Sequence, residues 1–564
     1  MKRAIPVMLL ACSLSGHLEA APALPSFGDF TPLKLEELYE KRLRFEKREP
    51  IVSVGVLEGQ SRIGLRANAP TRLIFEDEDM PRTVYAESGT TFYFRAQEST
   101  PAQLRHWTVV EVRPYGDSKG AQEALLEWKK AGFETKEFVT GTIMAMKGNV
   151  LDTRERRIGL GGFSEEAPAK ALMDRLSRER SVRSFVHTEL LAPAKGRVAV
   201  YDERNKLLHR AEGSVYFGTV SGGRVEILEG DHETVSGKKK RESREYWGHI
   251  YVVVDRQGAL AAVNSIGTER LLAGVVPAEI FASAPLEALK AQSVTARGAI
   301  FAKLGHTNLG DPFHICATQL CQVYGGASYE QASTNRAVEE TRGLLAVRPR
   351  KSTNEPLQLV DSVYSSSSGG FTEANEVVWD NAASESLRPK LDGSSSDPAI
   401  AKFKDGLNDA NIREWLESFP PTFSARSSFS RAERYRWKRT YSRAQLDEFL
   451  AGTGVGQLRA VEILGRGPGG RVTGLRLKGS RGVKDILREL PVRRLFGNLY
   501  SGMFVLDEER GPDGAISALT FTGGGWGHGV GMCQMGAIGR AEHNQSFEQI
   551  LAHYYNGAVV ERIY

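Results

Sequence analysis

Glu279 is the lone carboxylate of a mainly apolar stretch, residues 271–285, where it closes the run Val275-Val276-Pro277-Ala278-Glu279. A carboxyl held among apolar groups has its charged form disfavoured. Its proton affinity rises, and it can serve as a general acid near neutrality. The same residue could instead cap or salt-bridge locally, and spacing does not choose between the two. Further on, His314, Cys316 and Cys321 lie close together. Two thiols with four residues between them and a histidine before them could hold zinc, could close a disulfide, or could do neither. Ser365-Ser366-Ser367-Ser368-Gly369-Gly370 follows a strand-like lead-in at Tyr364, a loop able to bring backbone and hydroxyls close to a sugar. No G-x-S-x-G elbow surrounds these serines, so a serine-triad hydrolase has no support. Near the C-terminus, glycines recur at every second residue from 523 to 531 around Trp526 and His528. Neither the strand-to-helix context nor the acidic partner of a dinucleotide loop is present, so a nucleotide cofactor is not indicated. Such a loop allows close backbone approach around His528, with Trp526 able to stack on a sugar ring.

The elements that must carry these groups can be read from the same string. Pro285 opens a helical run over residues 286–303, with Ser283 as its expected cap and Leu289, Ser293, Ala296 and Ile300 as its buried stripe. Lys290 and Arg297, seven apart, share another stripe. Residues 51–57 and 91–94 are β-branched or aromatic and read as short strands of a small β region, residues 21–103. Residues 104–192 then give strand, Gly/Ser and helix twice over. That βαββαβ order lets both helices cover one face of a four-stranded sheet and leaves the other face as a candidate binding surface. Residues 193–270 are again strand-rich. The expected fold class is therefore α+β and multidomain, with the βαββαβ module ahead of a larger mixed unit, residues 193–564.

Composition narrows the function classes. The chain has 564 residues, too many for a single small module. Lys plus Arg (74) against Asp plus Glu (69) leaves a net charge of +5, which does not suggest binding to nucleic acid by bulk charge. Lys2 and Arg3 precede an apolar stretch too short to span a bilayer, and Leu18-Glu19-Ala20 offers a cleavage site. Residues 1–20 therefore read as an export signal. Leu9-Leu10-Ala11-Cys12 also has the shape of a lipidation box, so a lipid anchor at the cell envelope is an open alternative to a free periplasmic protein.

Two family resemblances follow from these motifs. Residues 157–176, with their strand, Gly161-Gly162-Phe163, Ser164 and alanine-containing helix, resemble the second half of a SPOR domain, which implies binding of peptidoglycan strands stripped of stem peptides. Residues 200–564 resemble the SpoIID/LytB family, also described as amidase enhancers. The resemblance is carried by Val275 to Glu279, Glu287 to Arg297, Cys321-Gln322-Val323-Tyr324, Ser366 to Gly370, Trp526 to Met532 and Tyr554-Tyr555. It implies a lytic transglycosylase acting on denuded glycan, with Glu279 as catalytic acid and Lys290, Arg297, Tyr324, Ser367, Gly369, Trp526 and His528 as candidates for substrate positioning. Relatives that carry zinc would place it at Cys316 and Cys321 with histidine, here His314. A serine is common in the family where Cys533 stands. The main competing expectation is a non-catalytic glycan-binding protein that stimulates a cell-wall amidase; a structural scaffold is another.

Overall fold

A computed structural model describes residues 35–564 except 42, 78–79, 181, 221, 235–236, 353–354, 380–381 and 395, so the expected export signal lies outside the described residues. The β-branched segments near the N-terminus find their partners far along the chain. Glu49–Gln60 runs antiparallel to Leu260–Gly267, Thr71–Asp77 to Leu207–Thr219, Ile63–Ala67 to Val225–Glu233, and Thr91–Thr100 to Lys195–Tyr201. All belong to one 13-stranded sheet. The expected boundary between a separate β region (21–103) and a unit beginning at 193 is corrected accordingly. Alternating apolar residues mark a strand, but they do not name its partner.

Residues 103–192 form a module inserted between two strands of that sheet. Its order is strand Gln103–Pro114, helix Ser118–Lys130, strand Thr135–Thr140, strand Glu155–Phe163, helix Glu166–Arg180 and strand Phe185–Ala192. The sheet runs fourth, first, third, second, and every neighbouring pair is antiparallel. Both helices bury Ala121, Ala124, Leu172 and Leu176 against Val110, Ile158 and Leu160, so they cover one face together. Ile143–Met146 pairs with Asn149–Asp152 as a hairpin outside this sheet. The face away from the helices is not open. Trp107 is buried there, its indole N–H donates to Glu189, and Phe138 lies between it and His187.

Two helices cross the large sheet and share its core. Thr268–Glu279 follows directly from strand Leu260–Gly267. Pro277 has no N–H to give in the last turn, and the backbone turns extended at Ile280, so Glu279 is the final helical residue. In Leu286–Lys303, Pro285 occupies the N-cap without a side-chain cap bond, and the expected Ser283 cap does not form. That helix is buried nearly all round, from Ala288 to Phe301, as a central element rather than an amphipathic one. Beyond it lie two three-stranded sheets. One is formed by Arg436–Ser442, Phe504–Arg510 and Ile516–Gly524, the other by Leu458–Arg466, Val472–Gly479 and Val483–Leu487, with a core of their own.

Candidate active site

Glu279 ends its helix half-buried, and three segments distant in sequence converge on it. The N–H of Val323 donates to Glu279 Oε1 at 2.8 Å, and the Tyr364 hydroxyl is also hydrogen-bonded to the carboxyl. Gln534 Nε2 donates to the Glu279 carbonyl at 2.9 Å and fixes the main chain. Burial pushes the carboxyl up to about 7, more than Val323, Tyr364 and the more distant Lys303 pull it down. No cation touches it among the described residues. It is therefore protonated in a useful fraction near neutrality, as a general acid must be.

Tyr364 was not singled out from the sequence as a site residue, although it sits at the end of the strand-like lead-in to the serines. The same hydroxyl lies 3.2 Å from Gln322 Oε1, so its one proton is shared between two acceptors, and Gln322 is anchored through its Nε2 on Ala296 O. His528 secures the backbone of this tyrosine. Its Nδ1 accepts from the Val530 N–H and its Nε2 donates to Tyr364 O at 2.8 Å. Burial lowers its pKa to about 3, so it is a neutral strut and not a base. The glycine loop makes this approach possible. Gly525, Gly527, Gly529 and Gly531 all have positive φ, and a Cβ on Gly531 would lie 2.1 Å from Val363 O.

Several expected positioning residues have structural roles instead. Arg297 is fully buried and donates two hydrogen bonds to Glu269, at 2.8 and 2.6 Å, so it cannot reach a substrate. Tyr324 is buried with its hydroxyl on Asn264, and Lys290 bridges Glu287 and Glu340. Each is corrected for the same reason: a partner distant in sequence claims the polar group. Ser367 and Gly369 pack against the glycine loop. Ser367 exchanges backbone hydrogen bonds with Trp526, and Gly369, at φ +72°, passes against Gly524 where a Cβ would meet backbone at 2.9 Å. Ser366 and Ser367 line a cavity with Phe281, Phe429, Arg431, Arg434, Tyr435 and Met535.

Cys316 and Cys321 are joined in a disulfide, and His314 Nδ1 accepts from Ser53. Disulfide sulfurs are not thiolate ligands, and no group of three His, Cys, Asp or Glu side chains able to hold a metal ion occurs among the described residues. The donor set does not fit zinc in this form. The bridge instead closes the loop that leads to Val323, and Lys303 Nζ holds its Cys321 carbonyl at 3.0 Å. Cys533 is a buried free thiol that caps a helix, with Sγ accepting from Gly536 N and Ser368 N.

Residues 256–347, which carry the acid helix, the buried helix and the disulfide loop, match the Stage II sporulation protein (SpoIID) family. The chain thus contains a SpoIID segment. Residues 373–531 match a second family, a domain of unknown function (DUF8618). Trp526 and His528 come from that second segment, so the site draws on both. An amidase enhancer of Bacillus subtilis (strain 168) is 25% identical over 520 residues, 86% of this chain and 68% of that protein. Stage II sporulation protein D of Bacillus amyloliquefaciens is 27% identical over 315 residues, 52% of this chain and 74% of its own. The Bacillus subtilis (strain 168) protein of the same name is 26% identical over 313 residues, 53% and 76%.

Proposed function

We propose that this chain is a peptidoglycan lytic transglycosylase cleaving the bond between N-acetylmuramic acid and N-acetylglucosamine in strands that lack stem peptides. The observation that carries this reading is a carboxyl with its pKa raised to about 7 and no ion pair among the described residues, at the end of a buried helix. Glu279 would protonate the glycosidic oxygen as the bond to C1 breaks through an oxocarbenium-like transition state. The resulting carboxylate would take the proton of the muramoyl 6-hydroxyl as that oxygen bonds to C1 and closes a 1,6-anhydro ring. The proton returns to Glu279, and no water is consumed. Val323 and Tyr364 orient the carboxyl throughout, and His528 holds Tyr364 in place.

The amidase enhancer among the relatives supports a second reading, a binding protein that stimulates a cell-wall amidase without cleaving glycan itself. Mass spectrometry of products from purified denuded glycan separates the two. The first reading expects anhydro-ended fragments from the wild type and none from Glu279→Gln. Wild-type protein that binds glycan and releases no such ends would overturn it. An exported protein fits this substrate, and no helix among the described residues is long and apolar enough to cross a membrane. The inserted module, with its βαββαβ order, is proposed as a SPOR-like contributor of glycan affinity through tethering.

A further inference from the structure

The segment matched by the domain of unknown function builds a four-layer stack. Trp526 and Tyr500 lie nearly parallel, 15° apart with centroids at 4.8 Å. The Arg434 guanidinium sits 4.0 Å from the Trp526 ring and the Arg439 guanidinium 4.2 Å from the Tyr500 ring. The backbone fixes this stack, since Gly525 N donates to Tyr435 O and Gly527 N donates to Tyr500 O. With its rings covered by Tyr500 and Arg434, Trp526 is not a free sugar platform, which changes what the stack can recognise.

A guanidinium laid on an aromatic face keeps its in-plane N–H groups for a planar anion and matches a carboxylate in two-pronged fashion. Arg434 has no ion pair with any carboxylate among the described residues. It opens onto the cavity lined by Ser366, Ser367 and Phe281, and Phe281 is 42% exposed only two residues after Glu279. An unpaired, pre-oriented cation on a cavity that also meets Phe281, two residues from the acid, calls for an anionic group on the substrate near the reacting bond.

We infer that Arg434, held on Trp526, binds the free lactyl carboxylate of a muramoyl residue seated beside Glu279, and so selects strands without stem peptides. In a peptide-bearing strand that carboxyl is an amide, neutral and extended by the peptide, and the contact is lost. This inference rests on the glycan-cleaving reading above and names the substrate feature that the site reads.

The test uses the full chain and two forms of one substrate: denuded glycan strands, and the same strands with their carboxylates converted to methylamides by carbodiimide and methylamine. Affinity is measured by co-sedimentation, and cleavage by release of anhydro ends. Wild-type protein should bind the acid form roughly tenfold more tightly, the scale of one charge-assisted contact. Arg434→Gln should bring that ratio close to one, and Arg434→Lys should retain part of it. A wild-type ratio of one, or an unchanged ratio in Arg434→Gln, overturns the inference. The wild-type comparison alone decides if Arg434→Gln fails to fold. Preference for the acid form without any anhydro ends would sink the cleavage reading and leave the carboxylate contact standing, whereas equal binding and cleavage of both forms would sink this inference alone.

Discussion

One helix carries two glutamates with opposite fates. Glu269, in its first turn, is buried against Arg297, the Gly343 N–H and the Tyr564 hydroxyl; burial alone would raise its pKa, and these partners bring it below the ordinary range. Glu279, at the other end, has burial without a cation and is pushed up to about 7. The difference teaches that burial selects neither role. A buried carboxylate with a guanidinium is a fastener, and one with only a backbone N–H and a hydroxyl can keep its proton near neutrality.

The largest expected effect lies at the donor end. Glu279→Gln should lower glycan cleavage by about 10²–10⁴-fold with the fold intact, the scale of a lost general acid; circular dichroism together with product analysis checks this. At the fastener end, Arg297→Met leaves Glu269 as an uncompensated buried charge and should cost about 3–5 kcal/mol in denaturant unfolding. A loss under 1 kcal/mol there would erase the contrast between the two ends. Cys316→Ser with Cys321→Ser should cost about 2 kcal/mol, the scale for closing so short a loop, and should also loosen Val323, so kcat should fall along with the unfolding midpoint. Cleavage should decline as pH rises through about 7, because the protonated acid is consumed. Tyr364→Phe removes a bond that lowers the Glu279 pKa, so the declining limb of the pH–rate profile should move to higher pH.

Stability separates the two ends by sign. Glu279 keeps its proton to about 7 in the folded chain, against an ordinary value of 4.5, so folding binds a proton in that window and stability is lost as pH rises through it. Glu269 is depressed, so its contribution is present above the ordinary range and is lost as pH falls. The smallest effect follows from the first of these. Glu279→Gln should melt at a higher temperature than wild type at pH 8 and show little difference at pH 4.

Glu279 was legible in the sequence because an isolated carboxylate among apolar neighbours is a local signal. Arg297 and Tyr324 were not, since their partners, Glu269 and Asn264, lie 28 and 60 residues away. A polar side chain on a helix reads the same whether it faces a ligand or a buried counter-charge. Tyr364 and Gln534 escaped notice because neutral hydrogen-bonding residues carry no sequence signature of the group they orient. The βαββαβ order was legible from local periodicity. The union of residues 44–100 with 195–267 was not, because strand register depends on partners that meet only after the inserted module is complete.

That insertion has a consequence for the rest of the molecule. Lys195 faces Thr100 across adjacent strands, so the module leaves the sheet and rejoins it at neighbouring points. The module is nonetheless sewn into the larger unit, since Met144, Met146 and Leu151 share a core with Phe301, Leu304 and Leu357, and Gly141 N donates to Gly305 O. Excising it would strip apolar cover from the C-terminal end of the helix Leu286–Lys303, so the module cannot be exchanged without disturbing that buried helix.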